Sequence, residues 1–309
     1  MNHLEAGFKG KNQVWRYVIM IASVFVVSNF IGGLPLIIVY IIQAIGNPVV
    51  LDKLASNPSD MSALGIDSNL SFALVLIPFL AGLGAFWFLI KPMNGRSFTE
   101  TINGTGKIRW NRFFISGTFW LLLSFLYMIV YLKIDQVNFI VNNTSFSLVI
   151  LSLTACLLIP FQAGFEEVLF RGYLMQGFAT LVQKRWFPLI MTSLFFGLLH
   201  SFNPEVKEFG FFTMIPQYIL FGLVFGIITV MDDGLEAAWG AHAANNIFLT
   251  IMVTSKSSAL QTNALYVQQN IYPWLEFAAL TGLSFLFILV LKKVFRWGSF
   301  SLLLKKVEV

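Results

Sequence analysis

Charge is scarce in this chain. Asp, Glu, Lys and Arg make up 11% of its 309 residues, against about 25% in soluble globular domains. Hydrophobic residues make up 57%, and the mean hydropathy is +0.76. That balance excludes a soluble or disordered protein and points to an integral membrane protein. Cysteine is scarcer still: Cys156 stands alone, so no disulfide forms within the chain, and its apolar neighbours suggest a buried small hydrophobe. The sequence has no repeat of fixed period and no low-complexity tract. Nor does it open on a recognisable signal peptide. The first apolar stretch far exceeds an h-region and lacks a small-residue cleavage site after it.

What fills the chain is apolar helix. A crossing needs about 20 apolar residues, and eight segments qualify or nearly qualify, near 14–45, 69–91, 112–132, 146–180, 187–209, 213–231, 235–253 and 273–295. The fold class expected is all-α, a polytopic bundle of about eight transmembrane helices forming a single membrane domain over 1–309. The first segment is too long for one straight crossing and holds Gly32, Gly33 and Pro35, which predicts a tilted or broken helix. Two polar connections stand out: 46–68 with Asn57-Pro58-Ser59-Asp60, and the Gly/Thr/Asn-rich loop at 94–106.

Basic residues alternate between the connections. Fifteen lie in the N-terminal segment, the second and fourth connections and the tail; four, Lys53, Lys133, Lys207 and Lys256, lie in the others. The positive-inside rule places both termini in the cytoplasm, and we expect the membrane to be that of a bacterial cell. These bases sit at membrane edges, so the partner they imply is lipid headgroups, not nucleic acid.

Ionisable groups at membrane depth are costly, about 2.5–3.5 kcal/mol each on insertion scales, and so mark function. Three crowd into Glu166-Glu167-Val168-Leu169-Phe170-Arg171. Glu167 and Arg171 are four apart and share a helical face, whereas Glu166 diverges by roughly 100° and is free to face a cavity. Pro160 and Gly164 precede the acids and predict a kink that brings them toward a fresh helical start. Two later segments carry Phe196-x-x-x-His200 and His242-x-x-x-Asn246, each pair on one face. Counted along the helices, Glu167, His200 and His242 lie roughly 25, 22 and 13 Å from the end rich in bases, so a common depth requires tilt or a kink. His3 is expected to be a solvated terminal residue; Asp232, Asp233 and Glu236 read as a polar turn with acids at a helix N-terminus.

The ordered set Glu166-Glu167-x-x-x-Arg171, Phe196-x-x-x-His200 and His242-x-x-x-Asn246 resembles the CAAX-protease and bacteriocin-processing family (CPBP, or Abi) of intramembrane proteases. The likeness covers roughly 146–253, which it implies to be the catalytic core helices. It also implies an endopeptidase acting on a membrane-associated peptide or protein, by way of CAAX-type processing, bacteriocin maturation or self-immunity. In that reading Glu166 is the general base, His200 helps hold the water, His242 and Asn246 stabilise the oxyanion, and Glu167 with Arg171 supports the geometry. The family carries the name metalloprotease, and a divalent metal such as zinc would take Glu166, His200 and His242 as ligands. A water activated by glutamate alone uses the same side chains, and we expect no tightly bound metal. Two other functions compete. A proton- or ion-coupled transporter would use the acids and histidines as a relay, but the paired repeats typical of transporters are missing. A non-catalytic immunity protein of the same fold would not need the full set.

Overall fold

The computed structural model describes residues 2–47, 49, 50, 52 and 65–308. Asn57-Pro58-Ser59-Asp60 of the expected 46–68 connection lie outside them. The described chain is helical nearly throughout. Helices α1 (Val14–Val26) and α2 (Leu34–Gly46) are followed by α3 (Ser68–Asn94), α4 (Phe98–Asn103), α5 (Trp110–Ile134) and α6 (Phe146–Glu167). Then come α7 (Met175–Leu181), α8 (Trp186–Leu199), α9 (Pro204–Phe209), α10 (Phe211–Asp232), α11 (Glu236–Met252) and α12 (Pro273–Val294).

Among the described residues six helices are long and apolar enough to cross a membrane: Val14–Gly46, Ser68–Asn94, Trp110–Ile134, Phe146–Leu181, Phe211–Asp232 and Pro273–Val294. The other two expected spans are shorter. The 187–209 segment stops at His200, where the chain turns through a 3-10 step into α9, and α11 has 17 residues. The expected break in the first segment is present: α1 runs into a π-helical turn at Val27–Ile31, and Gly32-Gly33 form the turn before α2. Gly32 has no room for a Cβ, which would lie 2.6 Å from Pro78 Cα of α3.

Close approach of helices follows small residues. Along α11 the alanines 237, 238, 241, 243 and 244 are buried, and Gly240 faces Phe113 of α5 so tightly that a Cβ would lie 2.0 Å from the Phe113 carbonyl oxygen. Gly240→Ala is therefore expected to push α5 and α11 apart and lower stability by about 1–3 kcal/mol. Gly282→Ala is the control, because a Cβ there meets nothing within 4 Å. Thermal unfolding in detergent reads the difference, and equal midpoints for the two variants would refute this packing.

The bundle has two unlike ends. At one, three distant segments form a small sheet in the order β1-β3-β2: β1 (Phe139–Val141) pairs antiparallel with β3 (Tyr266–Gln268), and β2 (Val253–Thr254) pairs with it in parallel. At the other end both terminal segments pack together, with Arg185 N–H donating to Lys305 O and its side chain 3.7 Å from Glu5. The Asp232-Asp233-Glu236 turn belongs to this end. Arg109 pairs with Glu236 at 2.6 Å and Asp232 at 3.3 Å, Arg112 reaches Asp232 at 3.3 Å, and Trp297 Nε1 donates to Asp232 at 2.7 Å. These acids hold the end of the bundle together.

Two expectations fail here. The 94–106 stretch is not an open loop: Ser97 and Glu100 form a capping box around α4, and Arg96, Thr101 and Asn103 are buried. Cys156 is exposed on the outward face of α6, where apolar side chains meet lipid.

Candidate active site

Helix α6 runs unbroken through Pro160 to Glu167, and then the backbone widens into a π-helical segment, Val168–Leu174, before α7. The expected fresh helical start ahead of the acids is absent. Counter-charge and hydrogen bonds hold the carboxylates instead. Arg171, in the widened segment, donates from Nη1 to Glu167 Oε1 at 2.9 Å and from Nη2 to Gly222 O of α10 at 3.3 Å. Neither side chain of this pair is exposed. Aromatic faces enclose the guanidinium, with Phe196 at 4.4 Å and Phe225 at 5.4 Å from the ring centroids.

Glu167 Oε1 also accepts from His242 Nδ1 at 2.7 Å. That bond fixes the imidazole: Nδ1 carries the proton, and Nε2 points at Glu166 Oε2, 3.6 Å away. The ring is held flat against Phe225, centroids 5.0 Å apart. Of the adjacent acids, Glu166 keeps 15% of its side chain exposed and Glu167 none, so only Glu166 is open to a water. The divergence expected from helical geometry is thus realised.

A chain of amides holds Glu166 from its other side. Trp120 Nε1 donates to Asn245 Oδ1 (3.1 Å), Asn245 Nδ2 to Asn246 Oδ1 (3.1 Å), Asn246 Nδ2 to Gln162 Oε1 (2.9 Å) and Gln162 Nε2 to Glu166 Oε1 (2.5 Å). Every donor points the same way, toward the carboxylate. Sequence reasoning missed Gln162, Asn245 and Trp120. A signal existed for Gln162, an amide four residues before Glu166 in an apolar helix. None existed for Trp120, which is 125 residues from its partner.

His200 ends α8, its Nδ1 2.7 Å from the Phe196 carbonyl, to which it donates. Its ring stacks on Tyr218 of α10 at 4.3 Å, and Tyr218 in turn donates to Glu205. Phe196 stands between the two imidazoles, 4.6 Å from His200 and 6.1 Å from His242 by ring centroids. Glu166, His200, His242, Asn245 and Asn246 all line one cavity of about 610 Å³. The structure therefore brings Glu166, Glu167, Arg171, His242 and Asn246 into one bonded network, and sets His200 on the wall of the same cavity. Zinc would need its ligands around one point at ~2 Å. Among the described residues no three His, Cys, Asp or Glu side chains form such a group. Glu166, His200 and His242 are not gathered around one such point, although the Nδ1 bonds of both histidines leave each Nε2 free.

His3 is not solvated. It is fully buried; its backbone N–H donates to Asp233 Oδ1 at 2.7 Å, and its ring Nε2 donates to the Arg171 carbonyl at 2.7 Å. Gln176 Nε2 clamps it from below by donating to His3 O at 2.9 Å. Burial disfavours the charged imidazole and holds it below its ordinary 6.5. Nδ1 has no partner, so a proton there would be buried unpaired. Because the unfolded chain takes that proton first, stability linked to neutral His3 is complete above 6.5 and is lost as pH falls through the lowered folded value. His3→Gln, which can keep a bond to the Arg171 carbonyl, is expected to flatten the fall in thermal midpoint between about pH 7 and about pH 5. An unchanged slope would take His3 out of that balance.

Residues 144–248, the stretch that carries all three motifs, match the family described as type II CAAX prenyl endopeptidase Rce1-like. Over this segment the chain is similar to the CAAX-protease and bacteriocin-processing family. The match takes in α6 to α10 and α11 as far as Phe248, and so every residue of the network except Trp120. The chain is also similar to the uncharacterized protein YyaK of Bacillus subtilis (strain 168), with 29% identity over 267 residues and 84% of each chain covered. No solved structure matches it. A CAAX-protease-like membrane peptidase with several apolar crossings is thus the coarse description of the protein.

Proposed function

We propose that the protein is an intramembrane endopeptidase in which Glu166 activates a water against a peptide carbonyl. One observation carries the reading: Glu167 is buried off the cavity with one oxygen bound to both Arg171 and His242, whereas Glu166 Oε2 stands on the cavity wall, 3.6 Å from His242 Nε2. Glu166 takes a proton from the water as its oxygen attacks the carbonyl carbon. The tetrahedral oxyanion is held by the free N–H of Asn246, His242 accepts at Nε2 from the attacking water, and the proton then passes from Glu166 to the departing amine nitrogen as the C–N bond breaks. Fixed donors in a site poor in water stabilise such an oxyanion by several kcal/mol. His200, on the opposite wall, holds the water or the substrate backbone. We place both termini in the cytoplasm of a bacterial cell, with 1–309 acting as one membrane domain.

Purified protein incubated with a library of membrane-tethered peptides is expected to yield new termini, detected by mass spectrometry, with rates unchanged by chelators. No product above a protein-free control, together with ion-coupled uptake into sealed vesicles, would replace the peptidase with a carrier.

A further inference from the structure

The candidate cavity has a floor and a mouth at opposite ends of the bundle. Its floor is Glu166 and His242; its far lining comes from Thr254, Ser257 and Ala259 after α11 and from Gln268 of β3. Ala259 is exposed, so the lining reaches the surface beside the sheet. None of the lining comes from 2–13, from 94–113 or from 171–190, the segments that build the other end. Under the floor the molecule is closed. The buried Glu167–Arg171 pair, the His3 ring on the Arg171 carbonyl, Gln176 bridging His3 O and Glu100 O, and the Arg109–Asp232–Glu236 cluster follow one another down to the terminal segments.

Charge assigns the two ends to sides of the membrane. Among the described residues the closed end carries fifteen basic residues and the sheet-bearing half only Lys133, Lys207 and Lys256, which by the positive-inside rule puts the closed end in the cytoplasm. The lining itself holds Glu166, Glu205 and Glu276 and no Lys or Arg, so a C-terminal carboxylate finds no cation there. Eleven aromatic side chains supply much of the remaining wall.

We propose that substrate reaches Glu166 and His242 from the extracytoplasmic side, past the 255–260 turn, as an apolar, neutral or cationic stretch of an exported or membrane-held peptide. The peptide is the part that rests on the proposed function; the route can be tested without it.

In a Cys156→Ser background, Thr250→Cys places a thiol inside the cavity, Ser257→Cys one at its mouth and Lys107→Cys one at the closed end. Intact cells are treated with a small membrane-impermeant methanethiosulfonate. The Thr250 and Ser257 variants are expected to react, and Lys107→Cys only after permeabilisation. In a Thr250→Cys/Ser257→Cys protein, a bulky impermeant maleimide that takes the mouth thiol first is expected to slow the reaction at position 250 at least tenfold. Ser124→Cys, on another wall of the cavity, is the second reporter if Thr250→Cys fails to fold. Reaction of the cavity thiols only after permeabilisation, or no slowing by the plug, overturns the proposal. These rates do not depend on cleavage, so a protein that cleaves nothing but labels as expected would refute the peptidase and leave the route intact.

Discussion

Glu166→Gln is expected to lower peptide cleavage by roughly 10²–10⁴-fold, the range for loss of a positioned general base, while the protein stays folded. The substitution is nearly isosteric. Its carbonyl oxygen still accepts from Gln162 Nε2, so the amide chain from Trp120 keeps its last link. What disappears is the basic oxygen facing His242 at 3.6 Å. Cleavage of the tethered library, normalised to protein recovered in one monodisperse peak, measures the effect. A variant within threefold of wild type would remove Glu166 from the chemistry.

The second large effect concerns stability. Glu167→Gln leaves the Arg171 guanidinium with no carboxylate in contact, in a site where neither side chain is exposed. Breaking one side of a buried ion pair costs about 3–5 kcal/mol, whereas replacing both partners with apolar groups of similar volume is often neutral. Glu167→Gln alone is therefore expected to unfold at markedly lower temperature in detergent, and Glu167→Gln/Arg171→Met to recover most of that loss. Activity should not recover with it. The double variant sets an amide where the carboxylate held His242 Nδ1–H at 2.7 Å, and an amide that can present either its oxygen or its NH2 no longer fixes the proton on Nδ1 and the bare Nε2 toward Glu166. If the double variant cleaves as well as wild type, Glu167 does not position His242.

Local geometry was legible in the sequence wherever the partners lie within one or two helical turns. The Glu167–Arg171 pair and the turning away of Glu166 follow from spacing, and the break near Gly32 from Gly and Pro in an overlong segment. Between the acids and the end rich in bases lie the widened turn after Glu167 and α7, whose Gln176 donates to His3 O. Illegible were contacts between distant segments that leave no periodic trace. His3 meets a carbonyl 168 residues away, and the sheet joins residues near 140, 254 and 267. A terminal His carries no sequence mark of burial. Six helices and not eight reach crossing length among the described residues for a related reason: composition records where apolar residues continue, and α8 ends at His200 within an apolar run because the chain turns there.

The two histidines are mounted differently. Helix α11 resembles a beam pinned at both supports, by Arg109 on Glu236 at one and by the strand at Val253–Thr254 at the other, with His242 set between. Helix α8 resembles a cantilever: His200 rides its tip, and Phe202 just beyond is 95% exposed. In the proposed reaction the spacing of Glu166 to His242 is thus set by a helix tied at both ends, and the place of His200 by its bond to Phe196 and its stack on Tyr218.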